Sequence, residues 1–367
     1  MKQWISGFIL LTGTLAVLSA GGASVKIPTR AAAPSQISHT VSQAAAAPIP
    51  DTVISPITVL EPGFSSAIFS GDDGFDAFLS QGGAVSDAQA AEFLAKHFSS
   101  DISLSASGFG CSTLAVKSPE GHALFGRNFD WQACDALVLT SKPVNGYASI
   151  STVNLDFIRQ GGSGLGAALE DDRLRVLVAL YAPLDGMNEK GLAVSVNMIQ
   201  DSASIAQDTG KPDLTTTTAV RLLLNKAADV KEALELLRQY DLHASMGMMV
   251  HFALADTTGR SIAVEYIGNQ MVVTETPAVT NFYLADGPKK GIGSQQSHTR
   301  YDILTRALET QPVMNLEQLR DALDSVSKDN FNEFESTEWS AVFDLNTGSA
   351  RYYHRENYEK TYTFSIS

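Results

Sequence analysis

The order of strand-like and helix-like segments limits the fold of this chain most. From residue 111 onward, short β-type runs alternate with turns such as PEG, PVNG and NEKG. The runs are CSTLAVKS, HALFGRNF, ALVLTS, YASISTVNLDFI, RVLVALYA and GLAVSVNMI. Helical patterns at about 217–228 and 230–240, a hairpin, two more helical stretches and a closing hairpin follow. Because hairpins rather than βαβ repeats join the strands, we predict an α+β fold of two antiparallel sheets between helices.

The N-terminal part has the composition of an export leader. A basic start at Lys2 is followed by an apolar run from Trp4 to Ala20 and then by small residues, which is the order of a secretory signal peptide. We therefore expect the protein to be secreted or associated with the cell envelope. An uncleaved N-terminal anchor is the less favoured alternative, since the run is short for a membrane span.

Composition shifts suggest four parts. The region after the leader is rich in Ala, Pro and Ser and predicts a tether. Next comes a segment with helical spacing that ends near Phe98, before the strand-rich region begins. The predicted parts are a signal peptide (1–23), a tether (24–63), a helical segment before Cys111 (64–110) and a catalytic domain (111–367).

Charge and motif content exclude several classes of protein. The chain has 40 acidic and 26 basic residues and a formal net charge of −14, which argues against a nucleic-acid partner. The sequence contains no evident metal-ligand cluster, phosphate-binding glycine loop or dinucleotide fingerprint. We therefore predict no cofactor and no metal.

The two cysteines, Cys111 and Cys134, allow two interpretations. An exported protein with two cysteines is often one with a single disulfide. Alternatively, Cys111 is a nucleophile, which requires a base or a positive neighbour. None of the seven histidines lies in a recognised cysteine-protease signature. Cleavage of the preceding peptide bond would instead free the α-amine of Cys111 as the base, and the small residue Gly110 at that position suits such a cleavage.

The neighbours of Cys111 favour the second interpretation. The stretch CSTLAVKSPEGHALFGRNFDW resembles the nucleophile strand and following turn of the choloylglycine hydrolase family, a group of N-terminal-nucleophile hydrolases. This family includes bile salt hydrolases and penicillin V acylases, with acid ceramidase and N-acylethanolamine acid amidase as more distant relatives. Its G-R-N-x-D block places an arginine and an aspartate sixteen and nineteen positions after the cysteine. Arg127 and Asp130 satisfy both spacings.

Three later blocks extend the resemblance to the C-terminus. DGMNEKGLAVSVN is similar to the family segment whose final asparagine, here Asn197, lends its backbone N–H to the oxyanion hole. TPAVTNFY places Asn281 at the position of the oxyanion-hole asparagine side chain. SHTRYDILTRAL places Arg300 where the family has an arginine near the nucleophile. The resemblance implies the four-layer αββα fold of these hydrolases.

The resemblance also implies a role for each residue. The Cys111 thiolate would attack an amide carbonyl, with its own α-amine as base and then acid. Asn281 and the Asn197 backbone would stabilise the oxyanion. Asp130 would orient the α-ammonium, and Arg127 would lower the thiol pKa and pair with Asp130, while Arg300 adds charge.

The expected activity is hydrolysis of a linear, non-peptide amide by a protein that cleaves itself between Gly110 and Cys111. The long segment before Cys111 resembles the ceramidase-like relatives, which favours N-acyl amides with a lipid-like acyl group. Conjugated bile salts and penicillin V are the alternative substrates. A protein of a different class, an exported binding protein on an inactive hydrolase scaffold, is the other alternative.

The expected partners are a small-molecule amide and the protein's own second chain after cleavage, with the oligomeric state otherwise open. Cys134 is expected to be a buried thiol or a reversible disulfide partner of Cys111. Five apolar residues before the nucleophile are expected to line an acyl-binding groove or to pack onto the core: Phe75, Phe78, Leu79, Phe93 and Phe98.

Overall fold

The computed structural model describes residues 52–98, 102–104, 109–160, 171–331 and 335–366. The described residues all belong to one compact unit, residues 48–367. The predicted signal peptide, and the predicted tether as far as residue 51, lie outside the described residues. No helix in the described ranges has the length and apolar character needed to cross a membrane.

The described part contains twenty strands and seven α-helices. The strands are β1 (Val53–Ile54), β2 (Thr58–Glu61), β3 (Phe64–Gly71), β4 (Ile102–Leu104), β5 (Gly110–Lys117), β6 (Ala123–Trp131), β7 (Ala136–Pro143), β8 (Ser149–Asn154), β9 (Ile158–Gln160), β10 (Asp185–Asn188), β11 (Ala193–Met198), β12 (Asp213–Thr215), β13 (Asp241–His243), β14 (Val250–Ala255), β15 (Ser261–Ile267), β16 (Gln270–Glu275), β17 (Ala278–Val279), β18 (Ser336–Asp344), β19 (Ser349–His354) and β20 (Tyr362–Ser365). The helices are α1 (Phe75–Ser80), α2 (Asp87–Phe98), α3 (Asp172–Ala179), α4 (Thr216–Lys226), α5 (Val230–Leu237), α6 (Gln295–Thr310) and α7 (Leu316–Asp324).

Two large sheets organise the molecule. The larger runs in the order β1, β3, β7, β8, β10, β11, β14, β15, β16, with β2 also paired to β3. The smaller runs in the order β17, β5, β6, β18, β19, β20. Neighbouring strands are antiparallel in both sheets except for β3 and β7, which are parallel. Long runs of fully buried residues in β6 and β8 reflect strands that are covered on both faces.

The layers follow from which faces are buried. Strand β11 of the larger sheet contacts β5 of the smaller one, so the two sheets pack face to face. Helix α4 covers β10 and β11 from outside and carries α5, whereas α6 and α7 cover β5, β6 and β18. This is the predicted four-layer αββα sandwich, and the fold prediction is confirmed. The main apolar cluster includes residues of both sheets and of helices α1 to α5.

The segment before Cys111 contains the predicted helical part, α1 and α2, but it is only partly helical. It begins with three strands, two of them inside the range assigned to the tether, and β3 joins the larger sheet beside β7. The alternation in FSSAIFSG explains this, because Ser65, Ala67 and Phe69 are buried while Ser66, Ile68 and Ser70 are more exposed. Helix α2 ends at Phe98 as expected. The segment is thus an integral part of the larger sheet.

The run RVLVALYA (175–182), which we predicted to be a strand, begins inside helix α3, which spans Asp172–Ala179. The side chain of Asp171 accepts hydrogen bonds from the backbone N–H groups of Arg173 and Leu174, which caps the helix. A short apolar run is compatible with either structure, and here the cap before it decided the outcome.

Candidate active site

Alternation along β5 and β6 sorts the predicted residues onto two faces. Cys111 lies opposite Phe129 and Thr113 lies opposite Arg127, so these side chains point toward the larger sheet. Gly110 lies opposite Asp130, on the face covered by helices α6 and α7. Cys111 and Arg127 therefore lie on one face of the smaller sheet, and Asp130 lies on the other.

Cys111 is fully buried, and its thiol contacts a cation. Arg127 Nη2 lies 3.1 Å from Sγ, and Sγ lies 3.4 Å from the carbonyl oxygen of Val196, to which it donates. Burial raises the pKa of the thiol to about 12, although the charges of Arg127 and Arg300 oppose the rise. Arg127 thus lowers the pKa of the thiol, as expected, but burial outweighs its effect.

Arg127 does not pair with Asp130, contrary to the sequence-based expectation. Three positions apart on a strand, the two side chains point to opposite faces of the sheet. Arg127 Nε instead lies 3.0 Å from Asp185 Oδ2, and its Nη1 donates to the Ser195 hydroxyl at 2.8 Å and to the Leu184 carbonyl at 2.9 Å. The guanidinium is therefore anchored to the larger sheet.

Asp130 pairs with Arg300 on the helix-covered face. Arg300 Nη1 lies 3.3 Å from Asp130 Oδ2, and it donates to the Cys111 carbonyl at 2.8 Å and to the Ser112 hydroxyl at 2.7 Å. Thr337 donates its hydroxyl hydrogen to Asp130 Oδ1 at 2.7 Å. Arg300, whose side chain is 1% exposed, is thus a buried member of the site and not a solvent-facing residue of α6.

Asn281 links the nucleophile residue to this ion pair. Its Oδ1 accepts the backbone N–H of Cys111 at 2.9 Å and Arg300 Nη2 at 2.9 Å. Its Nδ2 donates to the Met198 carbonyl at 2.6 Å. The side chain therefore lies beside the peptide bond that joins Gly110 to Cys111, and its amide nitrogen faces β11.

Asn197 lies close to the site, but its backbone N–H points to the wrong edge of β11. The Ile199 N–H donates to the Met249 carbonyl, so the backbone N–H and C=O groups of odd-numbered residues in β11 point toward β14. The Val196 N–H donates to the Leu184 carbonyl on the opposite edge, so those of even-numbered residues point toward Cys111. The Val196 and Met198 carbonyls accordingly contact Cys111 and Asn281. Because N–H and C=O of one strand residue share an edge, the backbone donor on the nucleophile side belongs to Met198 rather than to Asn197.

Two charged residues of the site were not identified from the sequence. Asp185 opens the block DGMNEKGLAVSVN, in which only the last residue was assigned a role. Burial raises the pKa of Asp185, while Arg127 opposes that rise.

Lys328, which is 7% exposed, lies beside Gly110. A Cβ on that glycine would be 2.9 Å from Lys328 Cε and 2.9 Å from Asp130 Oδ2. Lys328 Nζ is 3.7 Å from Glu335 Oε2, and burial lowers the pKa of this lysine. Nothing in the local sequence around Lys328 signals this position.

A cavity of about 330 Å³ opens onto this cluster. Its lining includes Gly110, Met198, Asn281, Arg300 and Lys328. A larger cavity of about 450 Å³, at the other end of β5, contains none of the six predicted site residues. The candidate site is therefore the smaller cavity at the start of β5.

The remaining expectations concern Cys134 and the aromatic residues before the nucleophile. Both cysteines are free and buried, so Cys111 is not in a disulfide here, and burial raises the pKa of the Cys134 thiol. Phe75 and Phe78 are at most 1% exposed and pack around Tyr181. They belong to the core, and none of the five apolar residues proposed for a groove is among the described residues that line the site cavity.

The chain is similar to several known proteins. Residues 111–282 match the model of the linear amide C-N hydrolases, choloylglycine hydrolase family. A conjugated bile acid hydrolase of Clostridium perfringens, solved as a cysteine-to-alanine mutant, aligns with 18% identity and a TM-score of 0.51, over 70% of this chain and 92% of that one. Penicillin V acylase of Agrobacterium tumefaciens aligns with 19% identity and a TM-score of 0.45, over 66% and 83%. No curated protein sequence matches the chain.

The matched region begins at Cys111 and contains the thiol, Arg127, Asp130 and Asn281. Fold and match together define a hydrolase that acts on carbon–nitrogen bonds of linear amides. Residues 111–282 resemble the choloylglycine hydrolase family.

Proposed function

We propose that this protein is an exported amidase that cleaves itself between Gly110 and Cys111 and then hydrolyses a linear N-acyl amide with a lipid-like acyl group. One observation carries the proposal: the buried Cys111 has Arg127 at 3.1 Å from its thiol and Asn281 at 2.9 Å from its own backbone nitrogen. The nucleophile and the bond to be cut thus lie within one hydrogen-bonded cluster.

Self-cleavage would begin with attack of Cys111 Sγ on the carbonyl carbon of Gly110. The thiol proton moves to the Cys111 nitrogen as the C–N bond breaks, which leaves a thioester and a free α-amine. Water then hydrolyses the thioester to the Gly110 carboxylate and the thiol. The absence of a side chain on Gly110 supports this step, because Asp130 and Lys328 occupy the space that a Cβ would need.

In the cleaved protein the α-amine would take the thiol proton, so that the thiolate attacks the substrate carbonyl. The second N–H of the Asn281 amide and the backbone N–H of Met198 would donate to the oxyanion, a contribution of about 3 kcal/mol per donor. The α-ammonium then protonates the leaving amine, and water, deprotonated by the α-amine, hydrolyses the acyl thioester. Asp130, held by Arg300 and Thr337, would keep the amine in place.

The surroundings of the scissile bond support an apolar acyl group. Phe109 is 1% exposed, and its ring lies 5.3 Å from that of Phe129 and 6.5 Å from that of Phe157. Movement of Phe109 after cleavage would open an aromatic-lined space next to the thiol, where an acyl chain gains free energy by burial. Met198 continues this surface. Export is supported by the N-terminal sequence pattern.

The test is the intact mass and N-terminal sequence of the purified protein beside Cys111→Ala and Cys134→Ala. We expect two chains, one beginning at Cys111, in the parental protein and in Cys134→Ala, and a single chain in Cys111→Ala. An uncut parental chain would contradict self-processing.

Substrate choice is tested on the processed protein with N-acyl amides of increasing chain length, conjugated bile salts and penicillin V. We expect kcat/KM to rise with acyl length. Preference for a bile salt or for penicillin V would overturn the lipid-like assignment, and no turnover of any of them would favour the binding-protein alternative.

A further inference from the structure

His251 is a buried titratable residue that the proposed chemistry does not use. It lies in β14 directly opposite Asn197 of β11, and it is fully buried. Its Nε2 lies 2.7 Å from the carbonyl oxygen of Thr280, and its Nδ1 lies 3.2 Å from Glu265 Oε1. The ring therefore lies between the larger sheet and the segment that carries Asn281.

The partners of the ring define its protonation state. A carbonyl oxygen only accepts hydrogen bonds, so Nε2 carries a proton. Glu265 is also an acceptor, because the backbone N–H groups of Leu284 and Ala285 donate to its two oxygens at 2.8 and 2.6 Å. Burial alone would raise the pKa of Glu265, yet these bonds and His251 hold it below the ordinary value. Nδ1 then also carries a proton, and the ring is an imidazolium.

The segment that follows is held from the other side by helix α6. The Asn281 backbone N–H donates to the Ser297 hydroxyl at 2.6 Å, and the Thr280 hydroxyl donates to the Ser297 carbonyl at 3.0 Å. His251 supplies the matching contact from the sheet, one residue before Asn281. Loss of that contact would leave Thr280 without its bond to β14.

We propose that His251 is a positioning residue of the active site, whose doubly protonated ring, clamped between Glu265 and the Thr280 carbonyl, holds the Asn281 amide in register with Cys111. The inference rests on the proposed amidase function only for its kinetic consequence. The proposal adds the buried pair of His251 and Glu265 to the groups that support the oxyanion site. The ring contacts Thr280, the residue directly before Asn281.

Among the described residues, Glu265 on β15 is the charged group in contact with the ring. Asn197 on β11 is uncharged, and Tyr283 on the Asn281 segment donates its hydroxyl hydrogen to Asp201 at 2.9 Å. Deprotonation of the ring would place an unprotonated nitrogen against the Glu265 carboxylate or the Thr280 carbonyl. Loss of either ring proton would therefore remove one of the two hydrogen bonds that form the clamp.

The first test needs no substrate. Nitrogen NMR of the parental protein with labelled histidine should show both ring nitrogens of His251 protonated. Hydrogen exchange of the Asn281 backbone N–H should be at least about tenfold faster in His251→Gln. A neutral His251 ring, or unchanged exchange in a folded His251→Gln, would overturn the proposal.

The second test is kinetic, with His243→Gln as the matched control. His243 pairs with Asp213 at 2.7 Å on the separate two-stranded sheet of β12 and β13, so its loss should leave turnover unchanged. We expect His251→Gln to lower kcat by about 10- to 100-fold with KM within about twofold, since misplacement of an oxyanion donor acts on the transition state. Equal kcat in the two variants would contradict the proposal.

These outcomes separate the two proposals. If the parental protein hydrolyses no amide, the proposed substrate class fails while the ring protonation and the exchange of Asn281 still decide the role of His251. If His251→Gln does not fold, the NMR of the parental ring decides alone, because one unprotonated nitrogen rules the clamp out.

Discussion

Gly110 shows how one residue without a side chain fits the site. Its Cα lies between the Asp130 carboxylate and the Lys328 side chain, and a Cβ would meet both at 2.9 Å. The carboxylate is held by Thr337 and Arg300, so it has little freedom to move. The position before Cys111 therefore favours glycine because of packing.

Gly110→Ala should slow self-cleavage by at least about tenfold, because the added methyl group displaces the scissile bond from the thiol. The measurement is the rate of appearance of the chain that begins at Cys111. Gly210→Ala is the control: Gly210 has φ +82° and no atom within 4 Å of an added Cβ, so it adds backbone strain without touching the site. Equal cleavage rates in the two variants would show that the space at Gly110 is not critical.

Asp185 balances the charge of Arg127 in the interior, and both side chains are fully buried. Asp185→Asn should lower the free energy of unfolding by about 3–5 kcal/mol, because it leaves an uncompensated buried guanidinium. Glu275→Gln, which breaks a mostly exposed pair with Arg260, should cost at most about 1 kcal/mol. Denaturant unfolding of both variants measures the difference, and similar losses would argue against a structural role for the buried pair.

At the scale of elements, strand β2 is attached to the last part of the chain through one carboxylate. Glu61 lies 2.7 Å from His354 Nδ1 on β19 and 2.7 Å from Lys360 Nζ just before β20. Burial would raise the pKa of Glu61, but the hydrogen bonds from Lys360, Tyr362 and His354 lower it to about 2.

A carboxyl group whose pKa is lower in the folded state stabilises the fold above its unfolded value and loses that contribution as the pH falls through the folded value. Glu61→Gln should therefore destabilise the protein by about 1 kcal/mol at pH 7, with the difference from the parental protein vanishing between about pH 4.5 and pH 2. Thermal melts across this range measure it. A difference that persists undiminished at pH 2 would contradict the ionic origin.

At the scale of the whole molecule, the segment before Cys111 and the catalytic part share one sheet. Strand β3 pairs with β7 at eight consecutive positions, from Phe64 opposite Ala136 to Gly71 opposite Pro143. Phe64 and Phe69 are buried in the main core. Cleavage before Cys111 would break one peptide bond and none of these contacts.

We therefore expect the two chains to remain together after cleavage. They should elute as one species in native size-exclusion chromatography and separate only in denaturant, because the shared strand pairs and core stay intact. Ile68 on β3 is 54% exposed, so an Ile68→Cys substitution in a Cys134→Ala background can carry a fluorescent label that follows the small chain. A small chain that elutes alone under native conditions would contradict retention.

The sequence by itself determined the fold class and the resemblance to a family of hydrolases. Hairpin-linked strands specify an antiparallel sandwich, because local alternation and turn residues act over a few positions. The spacing of Arg127 and Asp130 from Cys111 identified the nucleophile strand and its neighbour. Arg300 and Asn281, far along the chain, were found by their order within similar blocks.

Only the tertiary structure decided how these residues pair. Because side chains alternate along β6, Arg127 pairs with Asp185 and Asp130 pairs with Arg300. On β11, the backbone groups of Met198 rather than those of Asn197 point toward Cys111. Lys328 lies beside Gly110, and His251 contacts Thr280 next to Asn281, although both residues are far from Cys111 in sequence. Such contacts depend on register and packing between layers, which link residues far apart in sequence and leave no local pattern to recognise.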